Sequence, residues 1–392
     1  MMSKKVPELR FKGFTDEWEE RKLSDIADRF DNLRVPITAS DRKPGDTPYY
    51  GANGIQDYVE GFTHNGEFIL VAEDGANDLK NYPVQYVNGK VWVNNHAHVL
   101  QGKKTITDNK FLMNAIKNFN IEPFLVGGGR AKLNADVMMK LNILLPTFVE
   151  QEKIGSFFKQ LDDTIALHQR KLDLLKEQKK GFLQKMFPKN GAKVPELRFK
   201  GFTDDWEERK LGESSDVRDG THASPKYVSQ GHPMVTSKNL THFGLDMTDV
   251  SFLTDKDFNE INKRSKVSIG DILFGMIGTI GNPVIVDRDD FAIKNVALIK
   301  EKTSNPITNK WLLQYLKSPS FNRFIQKENA GGTQKFISLG LIRDMKLRVP
   351  EFDEQQKIGA FFKQLDDTIA LHQRKLDLLK EQKKGFLQKM FV

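Results

Sequence analysis

The chain of 392 residues contains no cysteine, which excludes disulfide bonds and metal sites built on thiolates. No apolar run approaches the roughly 18 residues that a membrane span needs. The lysines near the start are not followed by an apolar stretch, so no signal peptide is predicted. These absences favour a cytoplasmic protein that does not contact a membrane. The apolar content of 39% is ordinary for a globular chain of two to four domains.

A long internal repeat organises the sequence. Residues 150–187 recur at 354–391 with changes at only two of 38 positions. A shorter leading segment, Lys5–Leu23, returns as Lys193–Leu211 with a single change. A solenoid needs several short units, whereas two units of this size predict a pseudo-two-fold symmetric protein.

Two blocks without visible similarity, residues 24–126 and 212–330, lie between these constant segments. Neither is a basic domain, although the whole chain carries a net charge of +8: residues 24–148 hold 13 Lys and Arg against 14 Asp and Glu, and residues 212–352 hold 19 against 16. A nucleic-acid-binding surface would therefore require the fold to sort the charges in space. Unlike blocks between identical segments favour two different recognition domains joined by two copies of one docking surface.

Each copy of the long repeat has apolar residues at alternating steps of four and three, which predicts a coiled-coil helix about 57 Å long. The predicted helix–helix seam comprises Ile154, Phe158, Leu161, Ile165, Leu172, Leu175, Ile358, Phe362, Leu365, Ile369, Leu376 and Leu379. The short connection after Phe187, which contains Pro188 and Gly191, favours an antiparallel pair. A surface helix packed on its own domain and a zipper between molecules are the alternatives.

Polar residues interrupt the seam. We expect His168 and His372 to be tolerated imidazoles rather than a metal site, and Lys179 and Lys383 to mark where the seam opens to solvent. Weak points in the helices are predicted at four glycines, Gly155, Gly181, Gly359 and Gly385.

Both blocks have the pattern of mixed α/β domains. In the first block we predict a strand at Phe68–Ala72, two strands around an Asn88-Gly89 turn within Val84–Val93, and a helix at Asp108–Asn120. In the second block we predict strands at Ile272–Ile280, Pro283–Asp287 and Phe291–Lys300, and one helix at Lys310–Asn329.

Each block ends in a glycine-rich turn, Gly127–Arg130 or Gly331–Gln334. Such turns offer backbone N–H groups, and the neighbouring polar side chains suit phosphates and base edges. A tight structural connection into the next strand is the alternative.

No motif with catalytic spacing is found. The glycines of Gly275–Gly281 lack the dinucleotide-binding spacing, and Gly61–Gly66 is followed by Glu67 rather than lysine, so no phosphate-binding loop is predicted. His96 and His98 would share a strand face, but no nearby carboxylate or cysteine completes a metal site, and structural histidines are favoured. No metal is therefore expected.

The order of these segments resembles the specificity subunit of type I restriction-modification systems. Each half runs from a leading segment through an α/β block to a glycine pair, a proline and a long helix opened by Glu150–Ile154 or Glu354–Ile358. Stretches similar to those of the family's target recognition domains are Tyr49–Ile55, Asn94–His98, Val235–Leu240 and Gly270–Phe274. The resemblance covers nearly the whole chain.

The resemblance implies an α/β (α+β) fold with two globular target recognition domains separated by two long antiparallel coiled-coil helices. The expected boundaries are a first domain at 1–148, a first helix at 149–187, a linker at 188–192, a second domain at 193–352 and a second helix at 353–392. It further implies a non-catalytic DNA-recognition subunit. Double-stranded DNA, two adenine methyltransferase subunits and two restriction subunits would be its partners, and S-adenosylmethionine, ATP and Mg²⁺ would belong to those subunits.

The candidate DNA contacts are predicted from residue type and loop position. The candidates are Tyr49, Asn53, Arg130 and Lys132 in the first domain, and Thr221, His222, Lys238, Thr333, Gln334 and Lys335 in the second. Two other functions compete: a coiled-coil scaffold with two protein-binding domains, and a specificity-like subunit of another DNA-modification system. A self-sufficient nuclease or methyltransferase is a third alternative.

Overall fold

The computed structural model describes residues 5–127, 130–189, 191–242, 244–304, 306–328 and 336–391. The chain forms two compact units. The first comprises Met1–Arg170 and Arg374–Val392, and the second comprises Lys171–Gln373. The boundary between the units falls within each of the two long helices. No helix in the described part of the chain is both long enough and apolar enough to cross a membrane.

The first unit is built on a six-stranded sheet. The strands of the unit are β1 (Glu19–Lys22), β2 (Ala27–Arg29), β3 (Pro44–Gly51), β4 (Gly54–Val59), β5 (His64–Ala72), β6 (Val84–Val93), β7 (Ala97–Gly102) and β8 (Asn142–Leu145). Its helices are α1 (Leu23–Ile26), α2 (Asn109–Asn118), α3 (Ala135–Met138) and the first part of α4 (Phe148–Lys185). The sheet order is β2-β7-β5-β6-β3-β4, and β1 pairs with β8. Strand β5 and helix α2 contribute Ile69, Val71, Phe111 and Leu112 to one apolar core.

The prediction of a turn at Asn88-Gly89 is wrong. Strand β6 runs unbroken through both residues, and they pair with Glu67 and Gly66 of β5. The two facing glycines have φ angles of +99° and +144°, so they distort the ladder locally without reversing it. The predicted helix is confirmed as α2, and its N-cap is Asp108, whose carboxylate accepts the N–H of Phe111 at 2.8 Å.

The second unit contains twelve strands in the described residues, most of them short. They are β9 (Glu207–Lys210), β10 (Ser215–Asp219), β11 (Tyr227–Val228), β12 (His232–Val235), β13 (Leu240–Thr241), β14 (Gly244–Leu245), β15 (Ser251–Leu253), β16 (Ile272–Gly275), β17 (Gly281–Ile285), β18 (Ala292–Ile293), β19 (Val296–Glu301) and β20 (Lys346–Val349). The helices are α5 (Leu211–Ser214), α6 (Asp255–Ser265), α7 (Asn309–Lys317), α8 (Pro319–Glu328), α9 (Leu339–Asp344) and the first part of α10 (Phe352–Met390).

Two predicted elements of the second block are divided. The strand predicted at Phe291–Lys300 is interrupted between β18 and β19, where Asn295 has a φ angle of +56°. The helix predicted at Lys310–Asn329 is two helices, because Ser318 is extended and Pro319 starts a new helix rather than continuing the old one.

The two blocks share a topology that their sequences do not reveal. The order β2-β7-β5-β6 in the first unit matches β10-β19-β16-β17 in the second. The N–H of Asn94 bonds to the carbonyl of Tyr50, and the N–H of Lys294 bonds in the same way to Val235. Blocks with no visible sequence similarity are therefore variants of one domain.

The long helices pair in an antiparallel manner within each unit. In the first unit Phe157 packs on Phe386 with ring centroids 5.1 Å apart, and Asp162, further along α4, bonds to the earlier Lys383 of α10. In the second unit Phe182 packs on Phe361 at 5.0 Å. The antiparallel prediction is confirmed.

Most predicted seam residues are buried, but they differ in what covers them. Ile154 and Phe158 join the core of the first unit, and Ile358 and Phe362 join that of the second. Buried positions further along the helices are Leu172, Leu175, Leu376 and Leu379, and half-buried ones are Leu161, Ile165, Leu365 and Ile369. The seam thus combines contacts between helices with contacts to the domain cores.

The prediction that Lys179 and Lys383 mark an opening of the seam is wrong. Both side chains are largely buried, and they form ion pairs with Asp366 and Asp162 respectively. Each pair links the two helices within one unit, so these lysines close the seam rather than open it. His168 and His372 are half-buried.

Candidate nucleic-acid interface

The joint between each block and its long helix is built from constant residues. The Gln151 side chain accepts a bond from the N–H of Asp108 and donates to the carbonyls of Ile106 and Pro146. Gln355 makes the equivalent bonds to Thr308, Pro306 and Pro350. All of these partners are backbone groups.

Ion pairs complete both joints. Arg10 of the first leading segment forms a bidentate pair with Glu150, which is fully buried, and Arg198 pairs in the same way with Glu354. Because the glutamines bind only main chain of the blocks and the ion pairs join two constant segments, these polar contacts of the joint do not depend on the side chains of the block. One constant joint can therefore carry unlike recognition domains.

In the first unit, charged residues gather where β5 ends and β7 begins. Asp74 pairs with His96 and, at 3.2 Å, with Arg130. Glu73 pairs with Lys132 at 3.1 Å. The segment that carries Arg130 and Lys132 is tied to the sheet by an isolated bridge between Asp74 and Lys132. These contacts fix the two cationic side chains, both of which remain substantially exposed to solvent.

A buried histidine lies next to these charged residues. His98 contacts Asp31 through Nδ1 at 2.7 Å and the carbonyl of Leu133 through Nε2 at 2.8 Å. Burial would raise the pKa of Asp31, but the hydrogen bonds from His98 and from the N–H of Val99 outweigh it and lower that pKa below its usual value. Both ring nitrogens of His98 therefore face oxygen acceptors, which fixes the position of the ring between Asp31 and Leu133.

The expectation that no carboxylate lies near the histidines is wrong, and His96 lies outside the strand that holds His98. Asp31, Glu73 and His98 each place one potential ligand atom within 4.8 Å of the others, which suffices for a metal ion. However, guanidinium nitrogens of Arg34 lie 2.7 Å from a carboxylate oxygen of Glu73 and 3.6 Å from one of Asp31. Cationic side chains already neutralise both carboxylates, so the cluster fits an ion-pair network better than a metal site.

The second unit repeats part of this arrangement with other residues. His222 is exposed and contacts Asn295 at 2.8 Å and Asp219 at 3.0 Å. Hydrogen bonds to Asn295 and Asp219 raise the pKa of His222 above its usual value. Asp219 and His222 are three residues apart, as are the ion-paired Asp31 and Arg34 of the first unit. Both units therefore place a basic side chain just after the edge strand β2 or β10 of their sheet.

The remaining predicted contacts are distributed unevenly. Asn53 is exposed and holds a neighbouring loop through bonds to Gly75 and Asn77. Lys238 is exposed and pairs with Asp249. These two residues occupy equivalent positions, three residues after Tyr50 and Val235, whose carbonyls accept equivalent backbone bonds. Thr221 is half-buried, and its hydroxyl accepts the N–H of Ala223.

Tyr49 is the candidate that the structure places away from the surface. Its side chain is 1% exposed, its hydroxyl bonds to the backbone of Ile37, and Arg42 covers its ring. A tyrosine so enclosed cannot reach DNA in this conformation. Thr333, Gln334 and Lys335 lie outside the described residues, as do Gly128, Gly129 and the glycine pair at 331–332.

Sequence reasoning missed Arg34, Asp74 and Asn295. Each owes its place in the site to a partner distant in the chain, such as Glu73 for Arg34 and His222 for Asn295. The only local signal was the three-residue spacing of Asp31 and Arg34, which is too common to single out.

Comparisons with known proteins assign both halves of the chain to one family. The family model described as type I restriction modification DNA specificity domain matches residues 15–177 and again 203–381. The chain is 31% identical, over 93% of its length and 91% of the relative, to a putative type I restriction enzyme specificity subunit of Haemophilus influenzae. It is 23% identical, over 95% and 91%, to the MjaVIII specificity subunit of Methanocaldococcus jannaschii.

The fold is also that of a solved structure. The crystal structure of the S subunit of a type I restriction-modification system from M. genitalium matches with a TM-score of 0.73 at 17% identity, over 99% of both chains. The twofold match to one domain model and the tandem α/β domains define a DNA specificity protein with two recognition modules. The chain belongs to the specificity subunits of type I restriction-modification systems.

Proposed function

We propose that each α/β block reads one half of a bipartite, asymmetric DNA site. The observation that carries this proposal is the combination of identical joints, made to backbone groups, with blocks that share a topology but carry different exposed side chains. Arg130 and Lys132 on one block, and His222 and Lys238 on the other, would supply phosphate and base-edge contacts. Unlike readers give an asymmetric site.

The paired helices would set the length of the unread spacer. Readers about 34 Å apart, one turn of the duplex, face the same side of DNA, and each helix of about 57 Å is long enough to span that distance. Ion pairs such as Lys179 with Asp366 fix the register of one helix against the other. A fixed register is what a ruler requires.

The helices would also dock two methyltransferase subunits, with two restriction subunits completing the assembly. Leu167, Leu174, Leu371 and Leu378 are each more than half exposed, and they occupy the same places in the two repeats. Exposed apolar side chains in repeated positions suit an interface with two copies of one partner. S-adenosylmethionine, ATP and Mg²⁺ would bind to the partner subunits, and the assembly would act on DNA in the cytoplasm.

Exchange of one block tests the proposal that each block recognises its own half-site. Residues 24–126 are replaced by the corresponding block of a relative, and modified bases are mapped across a genome that expresses the complex. We expect one half-site to change and the other to persist. Loss of both half-sites would contradict the proposal.

A scaffold whose blocks bind proteins predicts a different result. Gel shifts of the methyltransferase complex on duplex DNA over a range of salt would then show no sequence preference. A DNA reader instead loses affinity steeply as salt rises yet keeps its preference for one site.

A further inference from the structure

The two blocks differ in chemistry at one position of their shared backbone. In the first unit an isolated β-bridge joins Asp74, two residues after β5, to Lys132. In the second unit the equivalent bridge joins Ile277, two residues after β16, to Phe336. The next backbone bond is also equivalent: Leu133 donates to Glu73 at 2.7 Å, and Ile337 donates to Met276 at 2.9 Å.

The apolar pair is not part of a core. Ile277 is 37% exposed and Phe336 is 51% exposed, whereas their neighbours Met276 and Ile337 are buried. The backbone therefore turns one residue of each strand inward and presents the next one outward. Because Phe336 is half exposed, its burial stabilises the fold little. Contact with a ligand is then a reason for an apolar side chain at this position.

The segment that leads to Ile277 approaches residues that support the proposed DNA surface. Gly275, two residues before Ile277, approaches Ser237 so closely that a Cβ on the glycine would lie 3.3 Å from the Ser237 Cβ. Ser237 bonds through its hydroxyl to the carbonyl of Asn295, the partner of His222. The chain just before Ile277 thus approaches the residues that hold His222, while Asp74, the counterpart of Ile277 in the first unit, pairs with Arg130.

The major groove offers one apolar feature, the C5-methyl group of thymine. We propose, on the basis of the DNA-reading function proposed above, that Ile277 and Phe336 contact this methyl group and so specify an A·T pair in the second half-site. The first block presents Asp74 and Lys132 at the same place and reads hydrogen-bonding groups there. Specificity at this backbone position thus changes from polar to apolar between the two readers.

A partner protein is a poorer occupant for this pair. Stable protein interfaces bury about 800 Å² on each side, far more than two side chains offer.

Removal of single methyl groups from the DNA tests the proposal. The complete complex with its methyltransferases is titrated with duplexes that carry its mapped site, in which each thymine of the second half-site is replaced in turn by deoxyuridine. At one position we expect about a fourfold loss of affinity, as for one methyl group removed from an apolar contact. Replacement of thymine in the first half-site is the matched DNA control.

Protein variants, combined with the thymine and deoxyuridine duplexes, complete a double-mutant cycle. Phe336→Ala should bind the thymine duplex more weakly and no longer distinguish it from the deoxyuridine duplex, whereas Phe336→Leu should retain part of the discrimination. Ile269→Ala, exposed at the opposite end of β16, should behave as the parent chain. The proposal is overturned if no thymine matters, if Phe336→Ala still discriminates, or if that variant instead fails to bind methyltransferase. Absence of any site preference in the parent complex would instead refute the DNA-reading function itself.

Discussion

Four glycines of the repeated helices differ in what surrounds them. A Cβ on Gly155 would lie 2.3 Å from the Asp108 carboxylate and 2.9 Å from the N–H nitrogen of Phe111, and one on Gly359 would lie 2.9 Å from Lys310. Gly181 has nothing within 4 Å, nor does Gly385. The first pair allows close approach of α2 and α7, so these glycines are packing sites rather than weak points of the helix.

Gly155→Ala should therefore destabilise the first unit, because the new methyl group displaces the cap of α2. Overpacking of this kind costs about 1–3 kcal/mol, which corresponds to a fall in Tm of several degrees, about 2–4 °C per kcal/mol. Gly181→Ala is the matched control and should leave Tm unchanged or raise it, since alanine is favoured by roughly 1 kcal/mol within a helix. Calorimetry that shows equal shifts for both variants would contradict this assignment.

In the DNA-reading role proposed for the second block, His222 would make binding depend on pH. Bonds to Asn295 and Asp219 raise its pKa, while nearby Arg264, which also pairs with Asp219, opposes the rise. A raised pKa in the folded state means that the stabilisation is complete below the ordinary value and is lost as pH rises through the folded value. The positive charge available to a phosphate disappears over the same range.

We expect binding to the second half-site to weaken as the pH rises from about 6 to about 9. His222→Gln should remove that dependence and leave readout of the first half-site unaltered, since Arg34 occupies the equivalent place there. Affinity measured on duplexes with one or the other half-site scrambled separates the two effects. A pH profile that survives in His222→Gln would exclude this histidine as its source.

At the scale of elements, periodicity predicted well wherever one local pattern determines the outcome. The long helices and their antiparallel pairing followed from heptads and connection length, and α2 lies within the helix predicted at Asp108–Asn120. The unbroken strand β6 was not predicted. An Asn-Gly pair favours a turn, but here Asn88 and Gly89 pair with residues of β5, so the strand continues through them.

The candidate site was less predictable for a related reason. His98 and Asp31 are 67 residues apart, and only the sheet order brings them together. Tyr49 belonged to a stretch similar to a family motif, but strand alternation turned its side chain inward. Lys179 and Lys383 looked like solvent-facing interruptions because their partners, Asp366 and Asp162, lie on the other helix.

The exposed leucines of the helices predict where partner subunits bind. Within the first unit Leu167 and Leu378 are exposed, and within the second Leu174 and Leu371. Leu167→Gln with Leu378→Gln should lower the number of bound methyltransferase subunits from two towards one, with little change in Tm because glutamine is also a good helix former.

Analytical ultracentrifugation of the reconstituted complex counts the bound subunits. Gln178→Ala, an exposed change on α4, serves as the control. Retention of both methyltransferases by the double variant and by its counterpart in the second unit would place the docking surface elsewhere.

For the whole molecule, the proposed role of the helices as a ruler would make the spacer a consequence of helix length. Insertion of one heptad into both α4 and α10, near the unit boundary at Arg170 and Gln373, preserves the seam pattern and lengthens each helix by about 10 Å. That length corresponds to about three base pairs at 3.4 Å each. The variant should therefore prefer sites whose two half-sites are unchanged and whose spacer is longer by one to three base pairs.

Mapping of modified bases gives the new spacer directly. The matched control is the same seven residues inserted into the linker at 188–192, which changes chain length but neither helix. Insertion into α4 alone is a second comparison: α10 is then seven residues too short to keep both the Lys179–Asp366 pair and the Asp162–Lys383 pair in register, which should weaken the complex rather than lengthen its site. If the doubly lengthened protein modifies sites with the original spacer, the helices do not measure the distance, and the spacing must be set by the subunits that dock on them.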